Sequence, residues 1–349
     1  MAVNFCGQPR TFMSASAGSG RPSACLFNEP LNLPTLGGIP EQSETCAPAV
    51  YLDTCRSQLV GIIASGGTVG WTAGGNLITS INQGNGGGTV NAAYTYGGTT
   101  GTGNPAVACT QEYNGSTWAT GGALSTAYRL LFRGCVGTQN AGLSVFGFSA
   151  PNNTSCTMEY NGTAWSAGGS GAISVRNGAT FGTQNSAAAA GGFTTAEVTC
   201  TQEYNGTSWS GGGNLIGARQ SNNGAGTSQN TGWSTGGGPG PVTCTETYNG
   251  TSWSTSGALT AARQLGGTSG RQCYGFWAGG SDGPNTCSQV YLFDGYIWRS
   301  TCGLITAVSC NAAGGDGQDG IIFSGYTGAA VSNTTQEFVN PFQYYQLGT

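Results

Sequence analysis

The chain repeats one motif, of which Cys200-Thr201-Gln202-Glu203-Tyr204-Asn205-Gly206-Thr207-Ser208-Trp209 is a copy. Three further copies are almost identical in letters, and a fourth, looser copy has two extra residues and Phe-Asp-Gly in place of Tyr-Asn-Gly. These copies are Cys109 to Trp118, Cys156 to Trp165, Cys244 to Trp253 and, as the looser one, Cys287 to Trp298. The motif therefore indicates tandem units of one design.

The spacing of the motif predicts the kind of unit. Its tryptophan recurs every 44 to 47 residues, at Trp71, Trp118, Trp165, Trp209, Trp253 and Trp298. Each unit offers about four short strands separated by turn residues, including the strand that ends at Tyr113, Tyr160, Tyr204 or Tyr248. An arginine follows an apolar residue at Arg129, Arg176, Arg219 and Arg263, which we interpret as one repeat position. Four strands in a period of this length predict the blades of a β-propeller, with the indole filling the space between blades.

Composition agrees with an all-β chain. Glycine accounts for 64 of the 349 residues, and charged residues for only 7%. Because the glycines are interleaved with aromatic and aliphatic residues and follow no three-residue period, they indicate frequent tight turns rather than disorder or a collagen helix. The Asn-Gly pairs at 114, 161, 205 and 249 formally match glycosylation acceptors, but we interpret them as hairpin turns.

The ends of the repeat predict how the ring closes. The last unit has a strand at 334–338 but no tryptophan strand after it, and Trp71 has no complete unit before it. We therefore expect six blades, with the strand of Trp71 completing the last one. A seven-blade ring, using residues 25–71 and a final strand at 342–347, is the alternative. The predicted domains are an irregular, proline-rich arm at 1–60 (or a degenerate blade), the propeller at 61–340 and a tail at 341–349.

The residue types exclude several kinds of chemistry. The chain has no histidine, and its ten basic residues are all arginine. Catalytic triads that depend on histidine are thus excluded, and so are lysine nucleophiles. A net charge of −4 without a basic stripe argues against binding of nucleic acid. No cofactor or metal site is predicted, and Asp316 to Gly320 is interpreted as a turn rather than a calcium loop. Glu112, Glu159 and Glu203 are expected to pair with the repeat arginines; a ring of acids facing an axial channel is the alternative.

Thirteen cysteines leave the redox state open. Five of them (Cys109, Cys156, Cys200, Cys244 and Cys287) are expected to occupy one repeat position, as packed thiols too far apart to bridge. Cys302 with Cys310 is the candidate disulfide, and Cys273 with Cys287 is the next pair by proximity. The first ten residues do not resemble a secretory signal, and no apolar run is long enough to enter a membrane.

The order Gly-Gly, Tyr, Trp, Arg over residues 71–338 resembles that of kelch repeats. The Glu-Tyr-Asn-Gly-Thr-Ser-Trp-Ser wording also resembles repeats in structural and tail-fibre-like proteins of aquatic tailed phages. The resemblance implies a non-enzymatic virion protein, assembled in the host cytoplasm and then extracellular. Its arm would bind other virion proteins or form a homo-oligomer, and its loops would recognise a host-surface glycan or protein. A free kelch-like interaction module and a carboxylate-based polysaccharide-acting enzyme are the alternatives.

Overall fold

The computed structural model describes residues 70–101 and 105–339 and, as backbone strands, residues 35–36, 49–53, 58–64 and 342–346. Every regular element in these ranges is a β-strand, so the predicted all-β class is confirmed. The chain divides into two compact units, residues 70–339 and the residues on either side of them, and each is described by itself.

The strands are numbered in chain order. Their bounds are β1 (Thr35–Leu36), β2 (Ala49–Asp53), β3 (Gln58–Ala64), β4 (Gly70–Ala73), β5 (Asn85–Thr89), β6 (Ala92–Tyr96), β7 (Thr110–Tyr113), β8 (Trp118–Thr120), β9 (Gly137–Thr138), β10 (Ala141–Ser149), β11 (Asn152–Tyr160), β12 (Trp165–Ala167), β13 (Ala179–Thr183), β14 (Ser186–Ala190), β15 (Thr201–Tyr204), β16 (Trp209–Gly211), β17 (Asn223–Ser228), β18 (Thr231–Thr235), β19 (Thr245–Tyr248), β20 (Trp253–Ser256), β21 (Gly267–Arg271), β22 (Tyr274–Ala278), β23 (Val290–Phe293), β24 (Trp298–Thr301), β25 (Ala312–Gly314), β26 (Gly320–Phe323), β27 (Thr335–Val339) and β28 (Phe342–Gln346).

Residues 70–339 form a six-bladed β-propeller. Its blades are antiparallel four-stranded sheets: blade 1 is β5–β8, blade 2 β9–β12, blade 3 β13–β16, blade 4 β17–β20, blade 5 β21–β24, and blade 6 β25–β27 with β4. The first strands of neighbouring blades contact one another around the axis, so the fourth strand of each blade lies at the rim. A four-stranded sheet cannot bury both of its faces alone, and packing against two neighbours solves this for every blade at once.

The ring closes between the two ends of the repeat array. Strand β4 pairs antiparallel with β27, with Trp71 opposite Phe338 and Thr72 opposite Glu337. The strand of Trp71 thus completes the last blade, and the prediction of six blades closed in this way is confirmed. The backbone pairing joins positions about 265 residues apart, so the ring cannot open without breaking a sheet.

The terminal strands form a separate four-stranded sheet in the order β1-β2-β3-β28. Strand β1 runs parallel to β2, whereas β2 with β3 and β3 with β28 are antiparallel. The seven-blade alternative assigned Trp71 to this sheet, and that assignment is wrong because Trp71 lies in blade 6. Most of the predicted arm at 1–60 lies outside the described residues, so its role stays a prediction.

Small residues surround the axis. Strand β5 reads Asn-Gly-Gly-Gly-Thr, β17 Asn-Gly-Ala-Gly-Thr-Ser and β25 Ala-Ala-Gly. Six strands that meet at one axis leave little room for side chains, and this crowding explains why so much of the chain's glycine, alanine and serine lies there.

In blade 2 the segment that leads into the first strand is longer than in blade 3, and it lies at the axis. Its path from Arg129 to Gly137 takes eight residues, against six from Arg176 to Gly182 in blade 3. In the extra length, the backbone at residue 134 bridges to Gly224 of blade 4, and the Cys135 amide donates to a carbonyl of blade 5. A Cβ at position 134 would lie 2.1 Å from one carbonyl oxygen and 2.3 Å from another, so only glycine fits.

The two ends of the ring carry different loops because the strands alternate in direction. At one end, here called the crossover face, the chain passes from each blade to the next, and the second strand connects to the third. The opposite end, the hairpin face, carries the connections from first to second strand and from third to fourth. The Asn-Gly pairs lie in these third-to-fourth turns, and the Asn114 carboxamide oxygen accepts from the amides of Ser116 and Thr117.

Candidate functional site

One tryptophan per blade packs against the preceding blade. Its indole Nε1 donates at 2.8–2.9 Å to a threonine Oγ1 in the third strand there, in the pairs Trp118 with Thr335, Trp165 with Thr110, Trp209 with Thr157, Trp253 with Thr201 and Trp298 with Thr245. The indole also contacts an aromatic ring of the preceding blade, as Trp165 does with Tyr96 at 4.9 Å between centroids. These tryptophans therefore lie between blades, where they add a directed hydrogen bond to the packing.

A tyrosine and a glutamate form a second tie at the same junctions. The hydroxyl groups of Tyr113, Tyr160, Tyr204 and Tyr248 donate to Glu337, Glu112, Glu159 and Glu203 respectively, in each case a residue of the preceding blade. Burial, and then the glutamate, raises the pKa of each tyrosine to about 12. The expected pairing of these glutamates with the repeat arginines is wrong, and they take part in the blade junctions rather than in an acid ring along a channel.

The tyrosine and the glutamate of the second tie are lost together at two junctions. Blades 5 and 6 carry Phe293 and Phe338 in place of the tyrosine. The preceding blades carry Thr247 and Leu292 at the glutamate position. At the junction of blades 5 and 6 the threonine is also replaced, by Val290, and the buried Nε1 of Trp71 has no partner among the described residues. A hydroxyl without a carboxylate, or a carboxylate without a hydroxyl, would be left buried, which explains why the two change together.

A ring of residues with positive φ marks the start of the first strands. One lies in each blade, with φ between 50° and 62°: Gln83, Leu130, Asn177, Ser221, Leu265 and Cys310. Five backbone hydrogen bonds link them from blade to blade; for example, the amide of Ser221 donates to Asn177 at 2.7 Å and that of Asn177 to Leu130 at 2.9 Å. The left-handed conformation directs five of the six amides at a neighbouring carbonyl, and these bonds offset the strain.

The residue before each member of this ring faces the crossover face. Each of these residues pairs through its backbone with the end of the second strand of its own blade or with the loop that follows that strand. They are Asn82, Arg129, Arg176, Gln220, Gln264 and Ser309. Arg129 and Arg176 belong to this polar set. Arg219 and Arg263 lie one position earlier, where Ile81, Val175 and Val308 are buried in other blades, so the four arginines form two structural classes.

Arg219 and Arg263 are buried and take part in packing. Arg219 forms an ion pair with Glu246, which stands where other blades have a glutamine that binds the crossover backbone (Gln111, Gln202 and Gln336). Arg263 donates to Gln289 at 3.3 Å and lies over the ring of Tyr291. Neither guanidinium is available at the surface, because only 4% and 8% of the two residues are exposed.

The guanidinium groups of Arg129 and Arg176 instead lie over the rings of two phenylalanines. The guanidinium of Arg129 lies 5.2 Å from the ring centroid of Phe148, its backbone partner. That of Arg176 lies 5.3 Å from the same ring and 4.7 Å from Phe193. Nη1 of Arg176 also donates to the Asn153 carboxamide at 2.7 Å. Burial lowers the pKa of Arg176, and the nearby charge of Arg129 lowers it further.

The cysteines differ from expectation. Cys302 and Cys310 do not form a disulfide, so the predicted pair is wrong. Cys302 follows a rim strand whereas Cys310 belongs to the ring at the axis, and the width of a blade separates these places. Cys273 is in a disulfide and Cys287 is free, which excludes that pair too. Gln289, rather than Cys287, is equivalent to Cys109, Cys200 and Cys244, because it accepts the same glycine amide.

No arrangement suited to a metal ion occurs among the described residues. They contain no group of three or more His, Cys, Asp or Glu side chains that could hold one. The predicted turn at 316–320 is present: Asp316 accepts from the amide of Gln318, and Asp319 from that of Asp316. Burial and the charge of Asp316 raise the pKa of Asp319. In the same ranges, no helix has the length and apolar character needed to cross a membrane.

Sequence reasoning did not find Phe148, Phe193 or Asn153. None of them lies in the repeated motif, and each gains its role only by being opposite or beside an arginine. A weak signal was present, since Phe148 and Phe193 each directly follow a glycine near the end of a second strand. At the position that pairs with the arginine, the other blades have Thr99, Gly238, Ser281 and Tyr326. The contacts between arginine and phenylalanine therefore occur only in blades 2 and 3.

Comparisons with known proteins show the fold alone. No protein-family model matches the chain, and no curated protein matches it in sequence. Among solved structures, that of YjhT is similar, with a TM-score of 0.62 and 11% sequence identity over 78% of this chain and 99% of the other. The likeness supports the six-bladed propeller.

Proposed function

We propose that this chain is a non-enzymatic structural protein of a virus particle, a propeller carried on a phage fibre, tail or capsid. The observation that carries the proposal is the use of the repeated acids. Glu112, Glu159 and Glu203 each accept a tyrosine hydroxyl of the next blade at 2.5 Å. The side chains most suited to acid–base chemistry thus serve to join neighbouring blades into a rigid ring. A protein that carries mechanical load requires such a ring. The resemblance of the motif to phage structural repeats supports the same conclusion.

The crossover face is the part proposed to contact the host. It carries Phe148, Phe193 and Tyr326 among amide and hydroxyl side chains, a composition suited to stacking on and hydrogen bonding with a host-surface glycan. The blades hold these loops in place, so binding would require little ordering of the protein. The N-terminal arm at 1–60 would attach the propeller to other virion proteins or to further copies of the chain. On this proposal the protein is part of the virion, assembled in the host cytoplasm and then extracellular.

Analysis of purified particles tests the proposal. Particles from the source culture would be separated on a density gradient, and each fraction analysed by peptide mass spectrometry and by immunogold labelling with an antibody against the full chain. We expect the chain to follow the major capsid protein at a fixed ratio, with gold at one location on the particle. Recovery of the chain only in the soluble fractions would refute a virion role.

A free kelch-like interaction module is the second candidate, favoured by exposed isoleucines on the crossover face. Ile78, Ile216 and Ile305 occupy one repeat position and are 60–62% exposed, although burial would be favourable. A protein partner would cover them. A pull-down with the full chain and with a triple serine variant at these positions distinguishes the two functions: one stoichiometric non-virion partner, lost in the variant, would favour the free module.

A further inference from the structure

The crossover face carries a pair of positive charges without a counter-charge. Of the seven described arginines, three form ion pairs with acids: Arg219, Arg271 and Arg299. Arg129 and Arg176 have no acidic partner among the described residues, although both lie within 5.3 Å of the centroid of one phenylalanine ring. The acid on the next loop, Glu197, is bonded to Gln220 at 3.0 Å. Two like charges held together are unfavourable unless another group neutralises them.

The structure holds these charges in position rather than allowing them to separate. The backbone of Arg129 pairs with Phe148 in both directions, at 3.0 and 2.8 Å, and the same pairing joins Arg176 to Phe193. Asn153 fixes Nη1 of Arg176, and its own amide donates to the carbonyl of Phe193 at 3.0 Å. Arg176 is therefore oriented by a second layer of contacts, the arrangement expected of a preorganised binding group.

We propose that Arg129 and Arg176 form a binding site for an oxyanion, a carboxylate or phosphate group that bridges the two guanidinium groups beside the ring of Phe148. The planar fork of each arginine suits the paired oxygens of such a group. The half-buried rings of Phe148 and Phe193 would lower the local polarity and accept an apolar part of the same ligand. The site occurs once in the ring, because only blades 2 and 3 have this pair of residues. It stands whether or not the propeller belongs to a virion.

Titration of the full chain with acetate and with inorganic phosphate tests the site. Each is added against sodium chloride at equal ionic strength, and binding is measured by calorimetry. We expect the wild type to bind at least one of the two oxyanions, and the preferred one identifies the ligand class. The variant Arg129→Glu supplies an internal carboxylate to Arg176, so its affinity should fall about tenfold or more, while its unfolding temperature stays equal or rises. Arg299→Glu, which makes the same change of charge at an exposed arginine in blade 5, is the matched control and should change affinity by less than about twofold.

Three results would overturn the proposal. Heat that is the same for chloride as for both oxyanions would show that the site has no oxyanion preference. Equal losses of affinity in Arg129→Glu and Arg299→Glu would show a general charge effect. A lowered unfolding temperature in Arg129→Glu with unchanged affinity would show that the arginines serve only to pack against Phe148.

Discussion

Replacing Val290 by threonine should stabilise the propeller. Five of the six junction tryptophans donate to a threonine hydroxyl of the preceding blade at 2.8–2.9 Å. The sixth, Trp71, is 8% exposed, and its Nε1 has no partner among the described residues. Val290, which is 1% exposed, stands at the threonine position of the preceding blade. Threonine has nearly the shape of valine, so the substitution adds the missing acceptor without changing the packing.

The magnitude follows from the other junctions. A buried donor without a partner costs about 1–3 kcal/mol, whereas burying a new hydroxyl that finds a partner costs less than it returns. We expect a net gain of about 1 kcal/mol in the free energy of unfolding, or a rise of about 2 °C in the unfolding temperature for a domain of this size. The reverse change at an intact junction, Thr335→Val, strands the Nε1 of Trp118 and should cost about 1–3 kcal/mol.

Urea denaturation and calorimetry of the wild type, Val290→Thr and Thr335→Val give these numbers. Hydrogen exchange of the indole Nε1–H provides a local measurement: protection of Trp71 should increase in Val290→Thr and that of Trp118 should fall in Thr335→Val. A control in the Trp71→Phe background removes the donor, and there Val290→Thr should give no gain. An equal gain in both backgrounds, or a loss in the wild type, would refute the repeat-equivalence reasoning.

Three further predictions concern buried polar groups. Because the pKa of Tyr160 is about 12 in the folded chain against an ordinary 10.0, the folded state keeps this proton longer than the unfolded state. The contribution of Tyr160 to the free energy of unfolding should therefore be fully present below about pH 10 and be lost between about pH 10 and 12, so urea denaturation across this range should show a smaller slope in Tyr160→Phe. Glu246→Gln leaves the buried Arg219 without its acidic partner and should cost about 3–5 kcal/mol in urea denaturation. The double variant that adds Arg219→Val restores the residue pair of other blades and should recover most of that loss. Arg133 is 2% exposed, and its Nη1 and Nη2 have no partner among the described residues. Arg133→Met should therefore raise the free energy of unfolding by about 1–4 kcal/mol, which urea denaturation would show as a higher midpoint.

Each of these has a clear contrary result. An alkaline slope that is identical in Tyr160→Phe would show that this tyrosine does not titrate differently in the folded state. If the double variant Arg219→Val with Glu246→Gln were as unstable as Glu246→Gln alone, Arg219 and Glu246 would not be equivalent to the valine and glutamine of other blades. A lower unfolding midpoint in Arg133→Met would show that the guanidinium is neutralised by a group that enters the axis.

Much of the fold could be predicted because it depends on local, repeated features. The tryptophan period predicts the blade, and the position of Trp71 before the first complete unit predicts how the ring closes. The Asn-Gly turns need only the conformational freedom of glycine and a carboxamide that accepts from the next two amides. All of these operate within one unit of sequence or at its boundary.

The partners of the repeated residues could not be predicted in the same way. The amino-acid sequence supported an alignment of Arg129 with Arg219, but the crossover segments differ in length. An offset of one residue moves a side chain from the surface to the interior. Glu112 was expected to pair with an arginine because charge is the obvious complement. In the folded ring, the partner of Glu112 is instead the hydroxyl group of a tyrosine in the next blade.

The order of strands, their number and the circular closure are determined by the amino-acid sequence of this protein, since they follow from a pattern repeated along the chain. Tertiary structure alone decided which side chains meet between blades, why Cys302 and Cys310 remain apart, and how two arginines come to share Phe148. The reason is geometric. Contacts within a blade are set by sequence spacing, whereas contacts between blades depend on the radius at which each residue lies, and no local pattern records that radius.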